Sequence, residues 1–463
     1  MNIYLHIEIA LRELDGKLLL ATLSAARGHN VIISDISSIK RGLRSGVLPP
    51  GIFHVKSLTP SSDLISIHEE MVNSGTIITS LDEESGILDQ GYKGFADERY
   101  SDKTIEQSSA IFGWGDDDVK ILKQIYPKHS SKIYKTGSPR IDLCKSQFSK
   151  KWVLPSSAPS KPFLLISSNL HTANFKKPFH EWGGFKPYQL KKNISYFKSD
   201  PILFKKQFDK VSEDTRKLAA FVEAVHHLSN THNGYDIVLR PHPLENIDAW
   251  KVYLRGISNV HVIREGPINP WINNAFAIMH NSCTTAIEAT VFGKEVITYI
   301  PFQQDHSWGE VANQLGHRVE TLEDLSNKVN ALFSNLQSAN NRVDDKPITD
   351  SLLKKIYLDK NELAAEKILK VWEKLVSHEI SKSSSLLKFE LLLKTMKIKN
   401  FLGNVYKDLF MSKNKRHKED YKFPSLDIKK IRESVSSLQR VLKIDKKLEC
   451  KLLNDKTILI KKV

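Results

Sequence analysis

Cysteine is scarce: Cys144, Cys283 and Cys450 are the only three in 463 residues, odd in number and far apart. No CxxC pair occurs, which disfavours a zinc ribbon or a redox dithiol and makes a reducing cytosol the natural setting. No His/Cys cluster has zinc spacing. No stretch approaches the ~18 consecutive apolar residues of a membrane span. The run Met1 to Glu8 lacks the basic start of a signal peptide, carries a carboxylate, and reads as a buried strand. GxxxxGK[ST] and GxSxG are both missing, which disfavours a P-loop NTPase and an α/β-hydrolase. With 40% hydrophobic and 26% charged residues, the composition excludes collagen, low-complexity disorder and a disulfide scaffold. The length suits two to three domains with cores of their own.

Positive charge is present in excess, at +15 overall, but unevenly. Residues 380–463 hold 22 Lys+Arg against 9 Asp+Glu, which leaves 46 against 44 for residues 1–379. The basicity therefore belongs to a C-terminal segment. Within it, Leu386 to Lys394 and Phe401-Leu402 interleave apolar residues with lysines. Such a stretch reads either as attraction to anionic lipid headgroups or as a lysine-rich helix pair packed on the body. The body shows no nucleic-acid motif, and no nucleic-acid partner is expected.

Short apolar runs at 2–9, 30–36, 76–81, 109–114 and 131–136 predict strands. Glu13 to Arg27 has helical periodicity and stops at Gly28. Strand, helix, glycine, strand is the unit of a parallel sheet covered by helices. A Pro/Ser-rich stretch at 146–162 reads as a linker. A second series of strands follows at 163–167, 235–239, 260–263, 277–280 and 295–299, with a helix over 214–232. Residues 172–205 read as a long loop able to cover a site. The predicted domains are 1–150, 163–379 and a basic helical segment, 380–463.

Two segments of the second half carry phosphate-type chemistry. Arg240-Pro241-His242-Pro243 follows a strand, where α/β folds bind ligands. Its prolines stiffen the backbone around His242. Imidazole and guanidinium together suit a phosphate. The run His280 to Ala289 also follows a strand, and Ser282, Thr284 and Thr285 offer hydroxyls and free N–H groups at a helix N-terminus. Glu288, a turn further in, is placed to accept from a ribose. Plain capping is the structural alternative. Ser168 and Asn169, just past the strand 163–167, join the candidate phosphate-binding set.

In the first half, Asp82, Glu83 and Glu84 close the strand 77–81. Three adjacent carboxylates repel, so one facing a cleft should have a raised pKa, the setting for a general base. A solvated acidic turn is the alternative. Glu8, Arg12, Asp15 and Lys17 form a second polar group, able to hold an anionic substrate or to pair among themselves. Asp116-Asp117-Asp118 precedes a helix and reads as capping rather than a metal site.

Taken together, several of these pieces resemble the bacterial surface-carbohydrate biosynthesis family, glycosyltransferase-like proteins of two Rossmann domains (GT-B). The matching residues are Glu8 with Arg12 to Ala21, Arg27-Gly28-His29, Leu81 to Glu84, Phe112 to Gly115, Thr136 to Asp142, Arg240 to Pro243, His280 to Ala289, and Tyr421 to Pro424. The family is similar to transferases of Kdo and other nonulosonic acids that use CMP-activated donors. Sialyltransferases of this fold share an acidic motif, matched by Glu83 and Glu84, and an HP motif, matched by His242-Pro243. Ser85 stands between Glu84 and Gly86 where the sialyltransferase pattern has glycine directly, so the choice of base stays open.

The resemblance implies an α/β, GT-B-like fold: two parallel-sheet domains facing a cleft, with a basic helical C-terminal segment. It implies a metal-independent glycosyltransferase of surface polysaccharide biosynthesis with no cofactor. The donor is a CMP-sugar, bound by Arg240, His242 and the Ser282–Thr285 loop. The acceptor, a lipid-linked or oligosaccharide glycan, meets Glu8, Arg12, Asp15 and Lys17, with Asp82, Glu83 or Glu84 as base. The protein is expected in the cytoplasm, with a peripheral membrane contact through 380–463. A nucleotide-sugar epimerase, a CDP-glycerol-type phosphotransferase and a non-catalytic assembly protein are the alternatives on the same fold.

Overall fold

The computed structural model describes residues 1–85, 92–175, 201–231, 234–304, 310–338, 348–359, 361–376, 388–396, 398 and 423–463. The chain forms two compact units, Met1–Lys151 with Thr349–Val463, and Trp152–Ile348. The predicted boundary at 379 thus falls at 348, where the chain returns to the first unit.

The first unit is built on an eight-stranded sheet. Its strands are β1 (Asn2–His6), β2 (Asn30–Ser34), β3 (Ile52–Val55), β4 (Ile77–Leu81), β5 (Ala110–Gly113), β6 (Ile133–Lys135), β13 (Leu448–Asn454) and β14 (Thr457–Lys462), in the order β13-β14-β2-β1-β3-β4-β5-β6. The strands β1 to β6 are parallel to one another, and β1 and β3 are adjacent. Burial on both faces accounts for their near-continuous apolar runs. The helix Ala10–Ala26 crosses from β1 to β2, and Gly28, at φ 89°, ends its overrun in a conformation that favours glycine. The core gathers Tyr4, Phe53, Ile78, Ile111 and Leu122.

The C-terminal segment is not a helical tail. β14 runs antiparallel to β2, pairing Ile458 with Ile33 and Ile460 with Val31, and β13 completes a hairpin. Helix Ile428–Val441 buries Ile431, Val435 and Leu438. The described helical residues 388–396 place Phe389 and Leu393 in the first unit's core. The apolar side chains offered to a membrane at those two positions are therefore already packed against protein. Tyr421 and Phe401-Leu402 lie outside the described residues. No described helix is long and apolar enough to cross a membrane.

The second unit is a six-stranded, wholly parallel sheet of β7 (Phe163–Ser167), β8 (Asp236–Arg240), β9 (Val260–Val262), β10 (Ala277–His280), β11 (Glu295–Tyr299) and β12 (His317–Val319). Its order is β12-β11-β10-β7-β8-β9. Numbered within the unit this is 3-2-1-4-5-6 read from the β9 edge, the order of dinucleotide-binding folds. Helix Pro201–Thr231 begins inside the predicted loop 172–205, of which 176–200 lies outside the described residues. The predicted linker 146–162 starts as a short 3-10 helix, Ser146–Lys151, which buries Phe148.

Candidate functional site

In the second unit, strand order reverses between β7 and β10, so the crevice outside their carboxyl ends is the place where such sheets bind ligands. β7 delivers Ser167, Ser168 and Asn169 there, and β10 delivers Asn281 to Thr285. Register sets Ser167 beside His280 on one side and Arg240 on the other. The two loops are tied together: Ser167 Oγ donates to Thr285 Oγ1 at 3.1 Å, and Asn169 Nδ2 donates to the Ser282 carbonyl at 3.0 Å.

Ser282 has φ 53°, a left-handed conformation that costs a non-glycine residue about 1–3 kcal/mol. Asn313 holds it there, accepting the Ser282 N–H at 2.6 Å and donating to its Oγ at 2.9 Å. Ser282 and Thr284 stay half-buried, and Thr284 makes no capping bond with its side chain. Thr285 and Glu288 are buried within the first turn of helix Thr285–Val291. Cys283 is buried, and burial pushes its thiol up, so it is an inert core thiol rather than a nucleophile.

His280, also at the β10 end, is structural. Thr298 Oγ1 donates to the Leu315 carbonyl at 2.7 Å and so accepts from His280 Nε2 at 2.8 Å. The Cys283 N–H reaches His280 Nδ1 at 3.4 Å. Burial holds this neutral imidazole down at about 3.

Arg240 is not directed at a phosphate. Its Nη1 and Nη2 each donate at 2.8 Å to the carbonyls of Glu265 and Gly266, and the guanidinium lies 4.9 Å from the Trp271 ring centroid. Burial lowers it to about 9. It pins the loop after β9. His242 and Pro243 remain half-buried at the β8 end. The Leu244 N–H donates to His242 Nδ1 at 3.2 Å, which puts the proton of the neutral ring on Nε2.

Glu245 organises these loops and was missed from the sequence. It is fully buried. It accepts from Ser168 Oγ at 2.9 Å, Leu170 N at 3.0 Å, His242 N at 3.2 Å and Trp250 Nε1 at 2.7 Å. Burial raises its pKa against the pull of those donors. The available signal was a carboxylate three residues past the HP histidine, the spacing at which a side chain caps the turn it follows.

In the first unit, β1 and β3 flank the corresponding reversal, and their carboxyl ends lead to Glu8 and Lys56, which form an ion pair. β4 adds the three carboxylates, but each has a different fate. Glu83 is buried against Lys17 Nζ at 3.0 Å; burial opposes its charge, but Lys17, Arg140 and Arg12 prevail and lower its pKa. Glu84 meets Arg12 at 3.2 Å and Arg99 at 2.5 Å, and its pKa is lowered as well. Asp82 is raised to about 6 by burial. Its Oδ1 accepts the Glu84 N–H at 2.9 Å, while Oδ2 is buried without a hydrogen-bond partner. Glu13 accepts the N–H groups of Glu8 and Ile9, and burial raises its pKa.

Asp15 points elsewhere, to Lys151 Nζ at 2.9 Å. Of the predicted acceptor set, Arg12 and Lys17 meet the β4 carboxylates, Glu8 meets Lys56, and Asp15 turns away from them. The Asp116–Asp118 triplet behaves as a helix start: Asp118 accepts from the N–H groups of Trp114, Gly115 and Val119, and Asp116 and Asp117 pair with Lys135 and Lys355. No group of His, Cys, Asp or Glu among the described residues has metal-binding geometry.

Asp82 makes stability depend on pH. Its folded pKa lies above the ordinary carboxylate value, so the penalty is absent below about pH 4 and develops as pH rises through about 6. We expect Asp82→Asn to remove an acid-side gain on the order of 2 kcal/mol. Urea midpoints at pH 4.5 and pH 7.5 check this; an equal pH dependence in both proteins would contradict it.

No known family model matches the sequence, and no curated protein matches it. Solved structures do. The chain is similar to the UDP-GlcNAc 2-epimerase from Neisseria meningitidis bound to UDP-GlcNAc: 13% identity, 81% of this chain and 100% of that one, TM-score 0.45. It is similar to a glycosyltransferase from Rickettsia africae at 12% identity over 82% and 99% of the two chains, TM-score 0.42. It is also similar to the wall teichoic acid polymerase TagF at 11% identity over 71% and 74%, TM-score 0.40. What the chain's own sheets establish is two α/β domains, each with parallel strands and a reversal point.

Proposed function

We propose that the protein is a glycosyltransferase moving a Kdo- or nonulosonic-type sugar from a CMP-activated donor to a glycan acceptor. The observation that carries the reading is the reversal point between β7 and β10, where two hydroxyl-bearing loops meet and Glu245 ties the first of them to the His242 turn. Arg240 is committed to carbonyls. The Ser282 hydroxyl donates to Asn281 Oδ1 at 3.0 Å, so phosphate recognition falls to the Thr284 hydroxyl, the amide of Asn169, loop N–H groups and His242. That donor set suits the single phosphate of a CMP-sugar better than a diphosphate. Donors fixed in advance of the reaction stabilise the leaving CMP as its charge develops. No metal or other cofactor enters this scheme.

The acceptor role falls to the first unit. Glu83 and Glu84 are held by close cations, so the proton of the attacking hydroxyl goes to Asp82, the β4 carboxylate whose charge is disfavoured and whose Oδ2 has no hydrogen bond and meets only Arg99, at 3.9 Å. Arg12 and Lys17 hold its neighbours Glu84 and Glu83, and Glu8 pairs with Lys56.

The test is CMP release from CMP-Kdo, with water standing in for the acceptor. His242→Ala is expected to lower it by a factor of about 100 or more, the usual contribution of a positioned imidazole. Production of an epimerised sugar from a UDP-sugar without acceptor, and no CMP release, would overturn the transferase reading in favour of an epimerase.

A further inference from the structure

A second imidazole stands over the HP histidine. The segment after β7 is laid along the turn after β8: Asn246 N donates to the Asn174 carbonyl at 2.8 Å, Asn174 Nδ2 returns a bond to the Asn246 carbonyl at 3.1 Å, and Phe175 bridges Glu245. Glu245 joins both segments, through Ser168 and Leu170 on one side and the His242 N–H on the other. This brings the His171 ring to 5.1 Å from the His242 ring, tilted by 32°. His171 Nδ1 is shielded from solvent and has no hydrogen-bond partner. A buried, unpartnered ring nitrogen is costly unless something occupies it.

We propose that His171 and His242 act together as a proton-linked anion clamp at the donor phosphate, so that binding the anion is accompanied by uptake of one proton. The proposal rests on the donor-binding reading of the second unit, but it concerns any tetrahedral oxyanion there. In the free protein the pair stays uncharged at His171: burial, then the nearby Lys210 of helix Pro201–Thr231, hold that imidazole down at about 4. The same helix turns Asp214 toward Thr172, with Lys217 and Glu213 around it. Below the pair lies Glu245, backed by Arg264, which donates to the Glu245 carbonyl at 2.6 Å. An anion arriving beside the ring pair supplies the charge that favours the imidazolium, and the proton comes from solvent.

Sulfate is the probe, because it does not itself titrate near neutrality. Its binding to the full-length protein is measured by calorimetry between pH 7.5 and pH 5.5, in two buffers of different ionisation enthalpy. One proton taken up gives an affinity that tightens by up to about tenfold per pH unit as pH falls. The wild type should show this slope together with a buffer-dependent heat. His171→Asn should still bind sulfate, with less than about a twofold change over the range; His171→Gln serves if the asparagine variant does not fold. An equal slope in wild type and variant, a wild-type heat independent of buffer, or no sulfate binding would each overturn the clamp. CMP binding is followed alongside. A proton-linked sulfate site without CMP binding sinks the donor reading and leaves the clamp; CMP binding with no proton uptake does the reverse.

Discussion

A chain ending at residue 379 is expected to lose the fold of its first unit. The deleted segment supplies β14, whose Ile458, Leu459 and Ile460 are buried against β2, and it supplies Phe389 and Leu393 to the core. Thr457 also closes a buried hydroxyl pair with Ser34 at 2.7 Å. Full burial of each such apolar side chain contributes about 1.5–3 kcal/mol. Five of them therefore amount to roughly 8–15 kcal/mol, the whole net stability of an ordinary domain. Removal would also strip β2 of one of its two partners and leave an apolar edge open to aggregation. The check is limited proteolysis and urea unfolding of the truncated chain beside the full one. A truncated protein with an unchanged first unfolding transition would contradict this account and restore 380–463 as a detachable tail.

Glu245→Ala is expected to destabilise the second unit by about 3–5 kcal/mol, because it removes the acceptor that several buried donors share. Ser168, Leu170 N–H, His242 N–H and Trp250 Nε1–H all point at this one buried carboxylate. Leaving buried donors unsatisfied costs about 1–3 kcal/mol each, partly relieved by local relaxation. Glu245→Gln keeps one acceptor oxygen and should lose about 1–2 kcal/mol. Because the residue ties the β7 loop to the HP turn, both variants should also weaken nucleotide binding. Denaturant titration gives the stability; an alanine variant within about 0.5 kcal/mol of wild type would mean that solvent replaces the carboxylate without cost.

These two effects show where the sequence was legible. Apolar runs such as Phe163–Ser167 and Glu295–Tyr299 read directly as strands, because a parallel sheet covered on both faces leaves no polar positions to confuse the pattern. The βαβ alternation therefore yielded two parallel-sheet domains. β13 and β14 escaped because lysines at 451, 461 and 462 gave the segment the composition of a solvated helix, although Ile458 and Ile460 alternate with period two. β3 and β12 were lost because polar residues interrupt them, His54 in the first and His317-Arg318 in the second.

The site was legible at the level of loops, less so at the level of side chains. Asn169, Ser282 and Thr284 lie on the two loops of one reversal point, and Glu245 ties the His242 turn to the first of them. Arg240 faces two carbonyls, a partner choice made by the loop after β9 and invisible to local sequence. Among the β4 carboxylates, charge repulsion suggested that one would be raised, but which one depended on the lysine and arginines of distant elements. Lys17 and Arg12 come from the helix after β1 and Arg99 from the helix Tyr92–Arg99. They settle on Glu83 and Glu84 and leave Asp82 as the raised carboxylate.

The central claim is that the second unit binds a CMP-activated sugar at the β7–β10 reversal. It is tested most directly by calorimetric or thermal-shift titration of the full-length protein with CMP, CDP, UDP, UMP and GDP. A ligand bound only by the folded state stabilises it by about 2.7 kcal/mol at a hundredfold excess over its dissociation constant. The account predicts stabilisation by CMP above the others, abolished in His242→Ala at an otherwise unchanged melting temperature. Preference for UDP or CDP, or a CMP response that survives His242→Ala, would contradict it.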